Sequence, residues 1–486
     1  MRIGGLASGM DIDAMVKQLM TAQRVPLDKL NQQKQLMEWK REGYRQVSTS
    51  LVSLNDKISK LSLSSAIDSK KATVTGASNV LTATATGAAS NSVLNISVSK
   101  LASASSIVST GGTAGATKIS DIYSGTETSI TVGEATINFT ADDTIASLMS
   151  KINSNKSTGV TAVYDSTSGQ MSLTNRETGS KSITLSGALL SGIGITEANV
   201  VKGNDAIVKV NGLNTTQSSN EFVINGVNIS LTGLSPTSGE TTQIVVSQDV
   251  DTMVETITSF VESYNTLLAS LNQKTSEERY RKFLPLTTEQ KADMSEDEIK
   301  LWESKAKSGM LKNDSILDTT LSSMRAAMIS NVKLSDGTEV NMTQFGITTG
   351  NYSEKGKLII DETKLRAALE SNPEGSYALF GQTDSSTTTS YTSNDGLFNR
   401  LKKINVNTLN MLYDKAGTSK SSSDLTTTFL TQSVMGLELT SYEKRIADLT
   451  DRLTMKENQF YKQFTAMETA MNKYNSASSS LTSMLS

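Results

Sequence analysis

The chain has 486 residues, of which 37% are hydrophobic and 20% charged, with a formal net charge of −3. That length exceeds one hydrophobic core and implies roughly three or four domains. The balanced charge gives no electrostatic reason for a nucleic-acid partner, and no apolar run approaches the ~20 residues of a membrane span. There is no histidine and no cysteine, although about ten histidines would be ordinary at this length. Their absence removes the usual zinc ligands, every Ser-His-Asp or Cys-His nucleophile and the commonest neutral-pH base. No cofactor is expected, and the chain is read as a structural protein, not an enzyme. A cysteine-free chain fits chance, a reducing cytosol, or passage unfolded into an oxidising exterior. The N-terminus is no secretory signal, because Asp11 and Asp13 interrupt its apolar stretch.

In chain order, Ile12, Met15, Val16, Leu19 and Met20 share a helical face after a start at Ser8 or Asp11, and Pro26 is expected to interrupt it. Leu30, Met37, Tyr44, Leu51 and Ile58 then recur every seven residues, with Val47, Leu54 and Leu61 at the matching d positions. Polar and charged residues fill the gaps, as in a coiled-coil seam. From about Lys71 to Asp249 the chain turns rich in Thr, Ser, Gly and Asn, with alternating apolar residues that predict strands. Two hairpins align there, 130–139 turning at Gly133-Glu134 and 222–231 at Asn225-Gly226; Asn-Gly favours a type I′ turn. Asp142 or Asp143 is expected to cap a short helix after the first, with strands near 160–164 and 171–174 beyond it.

The helical period returns at Val250 and runs to Leu271. Glu277–Lys307 is charged and is expected to be a solvated amphipathic face, with Ser295 and Glu298 forming a capping box. Asp361 is placed to cap a helix through Leu365 and Leu369. Gly417–Asp424 is a Ser-rich linker into the last helix. There Leu439, Ile446, Leu453, Phe460, Met467, Tyr474 and Leu481 repeat every seven residues. A helix of ~45 residues spans about 70 Å and carries a stripe too narrow to bury itself. Each exposed seam residue forgoes about 1.5–3 kcal/mol of burial, so a partner is required. The N-terminal seam is the nearest, and other copies of the chain are next. The Ser-rich tail from Ser476 is expected to fray.

The fold class is therefore α+β and multidomain: terminal heptad helices forming an antiparallel coiled coil, a helical bundle domain, and two β-rich head domains inserted between helical segments. The boundaries are 1–45 with 435–486 for the leg, 46–71 with 249–434 for the helical domain, 72–110 with 201–248 for a β-rich head domain, and 111–200 for the β-rich domain inserted in it.

The opening Gly4-Gly5-Leu6-Ala7-Ser8-Gly9-Met10-Asp11-Ile12-Asp13, then Val16-Lys17-Gln18-Leu19-Met20 and Pro26-Leu27, closely resembles the N-terminus of the flagellar filament cap family (hook-associated protein 2, FliD). The likeness continues to Lys60 and returns in the hairpin units, which look like flagellin IN repeats, in Val250–Leu271, in Lys312-Asn313-Asp314-Ser315 and in the C-terminal heptads. The charged Glu277–Lys307 segment looks like the extended version of Gram-positive members. The resemblance implies a protein exported unfolded by the flagellar type III apparatus, without a cleaved signal, to the extracellular filament tip. It implies a homo-oligomeric ring, commonly a pentamer, that promotes flagellin polymerisation and prevents its leakage. Flagellin, hook-associated junction proteins and an export chaperone are the implied partners. Other readings stay open: another flagellar axial component, a surface adhesin binding host glycans through the β domains, and a carboxylate-dependent hydrolase.

Overall fold

In the computed structural model, which describes residues 11–62, 64–236 and 241–485, Asp11 accepts a hydrogen bond from the Ala14 amide (2.9 Å) and starts a single 50-residue helix, α1 (Ile12–Leu61). Pro26 does not interrupt it. Proline removes one amide and costs about 3 kcal/mol in a helix interior. Residues 21–26 are all exposed, however, so water can reach the carbonyl left without a donor. Apolar contacts on both sides of Pro26 keep the two halves in line.

Four further helices of fifteen or more residues succeed it: α2 (Val250–Ser276), α3 (Ser315–Ile329), α4 (Leu397–Ala416) and α5 (Val434–Leu485). The chain divides into two compact units, 1–63 with 254–486, and 64–253. In the first, Phe260, Phe398, Phe380 and Phe345 form a run of rings with centroids 4.5, 5.9 and 6.0 Å apart. Arg400, on α4, is fully buried against the end of α3, and its guanidinium donates to the carbonyls of Ala327, Ser330, Asn331 and Asp395. Lys403 and Asp395 form a buried ion pair at 2.7 Å. Ser295 with Glu298, and Asp361, cap their helices as expected.

The second unit holds two β-rich cores. One joins a five-stranded sheet, in the order Lys70–Thr75, Thr242–Gln248, Ser92–Lys100, Ala206–Val210, Leu213–Gln217, to a three-stranded sheet of Glu221–Ile224, Val227–Leu231 and Leu81–Ala85. All pairings are antiparallel. The other core packs two three-stranded sheets with the helix Ile145–Ser154. Its strand Ser106–Val108, which the expected boundaries assign to the head domain of 72–110 with 201–248, pairs with Gln170–Asn175. Both hairpins turn at the expected dipeptides, since Val132 pairs with Ala135 and Ile224 with Val227. Past the turn they diverge. A helix succeeds the first hairpin, whereas the second strand of the second hairpin pairs with Leu81–Ala85 instead. The cap of Ile145–Ser154 is Thr144, whose hydroxyl accepts from the Ser147 amide (3.1 Å). Asp143 is occupied one turn earlier by the Thr140 amide (3.0 Å) and Lys151 (2.8 Å).

The last helix also corrects an expectation. It continues through the Ser-rich tail to Leu485. Ser480 and Thr482 donate their hydroxyls to carbonyls four residues earlier, both at 2.9 Å, so these side chains are satisfied on the helix itself.

Candidate assembly interface on the helical pair

Polar residues flanking the seams of α1 and α5 meet in opposite chain directions, the last of them just ahead of α5. Arg24 faces Glu457 (4.0 Å), Lys34 faces Glu443 (3.3 Å), and Arg41 reaches Ser433 (3.3 Å). Rising numbers on one helix meet falling numbers on the other, so the pair is antiparallel. Its far end is an apolar cluster of buried Ile12, Val16, Met20 and Leu453, flanked by Met15, Leu27, Leu449, Phe460, Tyr461 and Phe464.

The near end is fixed by a clamp. Arg41 donates to the carbonyls of Ala416 (2.6 Å), at the end of α4, and Leu430 (2.7 Å), just before α5. Arg45 donates to Leu425 (2.6 Å). The Phe429 ring lies against both guanidiniums, 4.3 Å from Arg41 and 3.7 Å from Arg45. Burial, with the Arg45 charge second, lowers the Arg41 pKa from its ordinary value. Ser48 donates to Thr418 (2.7 Å). The irregular segment between α4 and α5 is thus strapped to α1.

The Glu277–Lys307 segment is more than a solvated face. Gln32 donates to the Pro285 carbonyl (2.8 Å), Lys307 lies 5.0 Å from the Trp39 ring centroid, and Arg24 stands 3.8 Å from Glu289. The segment therefore braces α1 on a side that α5 leaves open. Burial, then the Glu289 charge, raises the Asp28 pKa at this junction against the pull of Arg24.

The heptad residues fall into three groups. Leu30 and Leu439 are buried and Met37, Ile446 and Phe460 half-buried along the paired stretch, with Leu453 in the apolar cluster. Tyr44, Leu51 and Ile58 are buried too, but on the part of α1 that runs into the helical unit. There Tyr44 bonds Asp314 at the start of α3, and Asn55 bonds Asn405 of α4. They do not face the C-terminal heptads, because α5 begins only at Val434, beside Arg41. Met467 (38% exposed), Tyr474 (74%) and Leu481 (61%) form the third group, with no packing partner on the described part of α1. The actual counterpart of Leu453 is the Ile12–Met20 face, which is plain in the sequence but which an interruption at Pro26 would have cut off. Arg41 and Phe429 carried no periodic signal at all.

Among the described residues, no group of three or more Asp or Glu side chains is placed to hold a metal ion, and no helix is long and apolar enough to cross a membrane.

The pattern of the family described as flagellar hook-associated protein 2 C-terminus matches residues 203–476, and that of its N-terminus matches 8–105. The flagellar hook-associated protein 2 of Halalkalibacterium halodurans is 32% identical over 540 residues, covering 99% of each chain. This chain belongs to the flagellar hook-associated protein 2 family. The Escherichia coli member is 26% identical over 511 residues, covering 98% of this chain and 96% of its own. The crystal structure of the D1-D2-D3 domains of the E. coli flagellar cap protein FliD shares the fold, with a TM-score of 0.56 and 22% identity over 77% of this chain and 96% of that one. The flagellin hook IN motif matches residues 122–177, the unit containing the first hairpin and its helix; the family's second expected unit has the hairpin without the helix. Of the family's opening motif, Asp11 is the helix cap, while Gly5, Leu6, Ala7, Ser8, Gly9 and Met10 lie outside the described residues.

Proposed function

We propose that this protein is the cap at the distal tip of the bacterial flagellar filament, where it promotes flagellin polymerisation and prevents flagellin leakage. The observation that carries the reading is the end-to-end correspondence with the H. halodurans hook-associated protein 2, 99% of both chains. The helical pair supplies the physical part. Residues from Arg41 to Ile12 on α1 and from Val434 to Phe464 on α5 form a leg anchored at one end by the arginine clamp. The remaining apolar face of α5 supplies the contact surface, with Met467, Tyr474 and Leu481 in its seam. The β-rich unit forms the plate, and copies of the chain join in a ring, commonly five.

The cap works outside the cell, reached unfolded through the flagellar export apparatus. An export chaperone shields the α5 face beforehand, and hook-associated junction proteins and flagellin are the later neighbours. The role is structural and needs no catalytic group. The alternative reading, glycan binding, rests on the Ser/Thr-rich surfaces of the β domains alone.

The deciding experiment measures flagellin in the medium of cells lacking this protein, with and without purified protein added back. Monomeric flagellin spilling out, and filament growth restored by addition, is the expected result. Normal filaments without the protein would refute the reading.

A further inference from the structure

The chain carries two Asn-Gly dipeptides, Asn211-Gly212 and Asn225-Gly226. Each is the two-residue turn of an antiparallel hairpin in the β-rich unit, joining Ala206–Val210 to Leu213–Gln217 and Glu221–Ile224 to Val227–Leu231. Their backbones match, with φ of 48° and 89° in the first and 49° and 78° in the second. Both asparagines are exposed, and each follows a β-branched residue, Val210 or Ile224. Their carboxamides differ. Asn211 Oδ1 accepts from the Asn95 amide (2.8 Å), and Asn211 Nδ2 lies 3.5 Å from the Val93 carbonyl. The Asn225 carboxamide and the Gly226 amide nitrogen have no hydrogen-bond partner among the described residues. Gly226 is held through its carbonyl instead, which accepts from the Thr86 amide (2.9 Å) and hydroxyl (2.8 Å).

We propose that Asn225-Gly226 is a site of spontaneous deamidation and that Asn211-Gly212, its conformational twin, is protected from it. A glycine on the C-terminal side leaves the attacking nitrogen unshielded by any Cβ. The Gly226 nitrogen attacks Asn225 Cγ and an N–C bond forms. Its proton passes through solvent to the departing amide nitrogen, and ammonia leaves. Water then opens the succinimide ring at either carbonyl, giving Asp or iso-Asp at 225; nothing is oxidised or reduced. Attack requires the carboxamide to swing onto the following nitrogen. Asn211 must first give up its bond to the Asn95 amide, whereas Asn225 gives up none. The iso-Asp product routes the main chain through the side-chain carbons, lengthening a turn whose size sets the pairing of its strands. Val227–Leu231 is the middle strand of its sheet, paired with Glu221–Ile224 on one side and Leu81–Ala85 on the other. The change therefore loosens the whole three-stranded sheet.

The test has two parts. Purified full-length protein is incubated in warm, mildly alkaline buffer, either folded or unfolded in guanidinium chloride. Conversion at each asparagine is followed by peptide mapping after cleavage at Glu221, which separates the two sites. In the folded protein Asn225 should convert roughly five-fold faster than Asn211, the effect of a single hydrogen bond. In the unfolded protein the two rates should converge. Equal rates in the folded protein, a faster Asn211, or the same preference in guanidinium chloride would overturn the assignment. Aged and fresh protein are then compared by thermal unfolding. The aged parent should show a lower-melting population that grows with conversion at 225. Asn225→Gly, which keeps the positive φ of the turn and removes the carboxamide, should not show it. Unchanged melting of converted protein, or the same new population in aged Asn225→Gly, would overturn the effect on the sheet.

Discussion

Tyr44 on α1 donates its phenolic hydrogen to the carboxylate of Asp314, the residue that caps α3. Asp314 also accepts from the Ile316 and Leu317 amides (3.2 and 3.4 Å), and Lys40 and Lys415 stand 4.0 and 3.9 Å from it. One buried carboxylate thereby ties the base of the leg to α3 and α4. Tyr44→Phe should cost about 1–2 kcal/mol, since the two lysines remain to balance the charge. Asp314→Ala should cost more, about 2–4 kcal/mol, because it also removes the cap and leaves Tyr44 unpaired. Urea unfolding of the two variants checks the order; equal losses would mean that Asp314 does no more than receive the tyrosine.

Alkaline pH should expose a second tyrosine. Burial, opposed by the Arg325 charge, pushes the pKa of Tyr264 up to about 12. A group with a raised folded-state pKa contributes stability that is fully present below its unfolded value near 10 and is lost as pH rises through the folded value. Stability should therefore fall between about pH 10 and about pH 12, with Tyr264 contributing on the order of 2 kcal/mol. Burial and the Asp314 bond raise the Tyr44 pKa as well, in the same sense. Chemical denaturation in steps from pH 8 to 12 should show a shallower decline for Tyr264→Phe than for the parent. An identical slope would show that Tyr264 is as solvated folded as unfolded.

The two heptad positions Leu453 and Met467 should separate folding from assembly. Leu453 is 8% exposed within the Ile12–Met20 cluster, so Leu453→Ala should cost the leg about 2–3 kcal/mol. Met467→Asp adds a charge to a face with no packing partner on the described part of α1 and should leave the unfolding midpoint unchanged while abolishing capping. Limited proteolysis of the leg, beside the flagellin-spill assay, distinguishes them. Full-length filaments supported by Leu453→Asp/Met467→Asp would defeat the leg model.

Gly133 and Gly115 offer a backbone test in the inserted β core. Both have positive φ, 60° and 76°. A Cβ on Gly133 would lie 2.3 Å from the Thr158 carbonyl oxygen, whereas one on Gly115 would meet nothing within 4 Å. Gly115→Ala should cost about 1–2 kcal/mol from conformation alone, and Gly133→Ala measurably more. Thermal unfolding of the pair would contradict this assignment if the two fell equally.

What could be read from the residues depended on whether the signal was local. Asn225-Gly226, Ser295 with Glu298, and Asp361 each act within four residues, and each folds as its chemistry dictates. The terminal heptads likewise announce an antiparallel pair. Register was not legible, because periodicity fixes which face is apolar but not which turn it meets. Tyr44, Leu51 and Ile58 continue the heptad of Leu30 while burying themselves against different helices. Pro26 misled for a related reason: its cost is local, while the contacts that outweigh it come from a helix more than four hundred residues away. Arg41 and Phe429 were invisible, since a guanidinium that gathers two distant carbonyls and a ring from a Thr-rich stretch leaves no spacing to detect.

The arginine clamp has a consequence for how the leg forms. A heptad seam tolerates slippage in steps of seven residues, about 10 Å along the helix, and each misaligned pairing buries nearly as much apolar surface as the right one. Arg41 holds the end of α4 and a carbonyl just ahead of α5 in one grip. Any alignment out of step by one heptad would have to break these bonds, so the clamp favours a single register. The alignment of the pair is thus written into residues outside the repeat, and the heptads alone do not have to choose it.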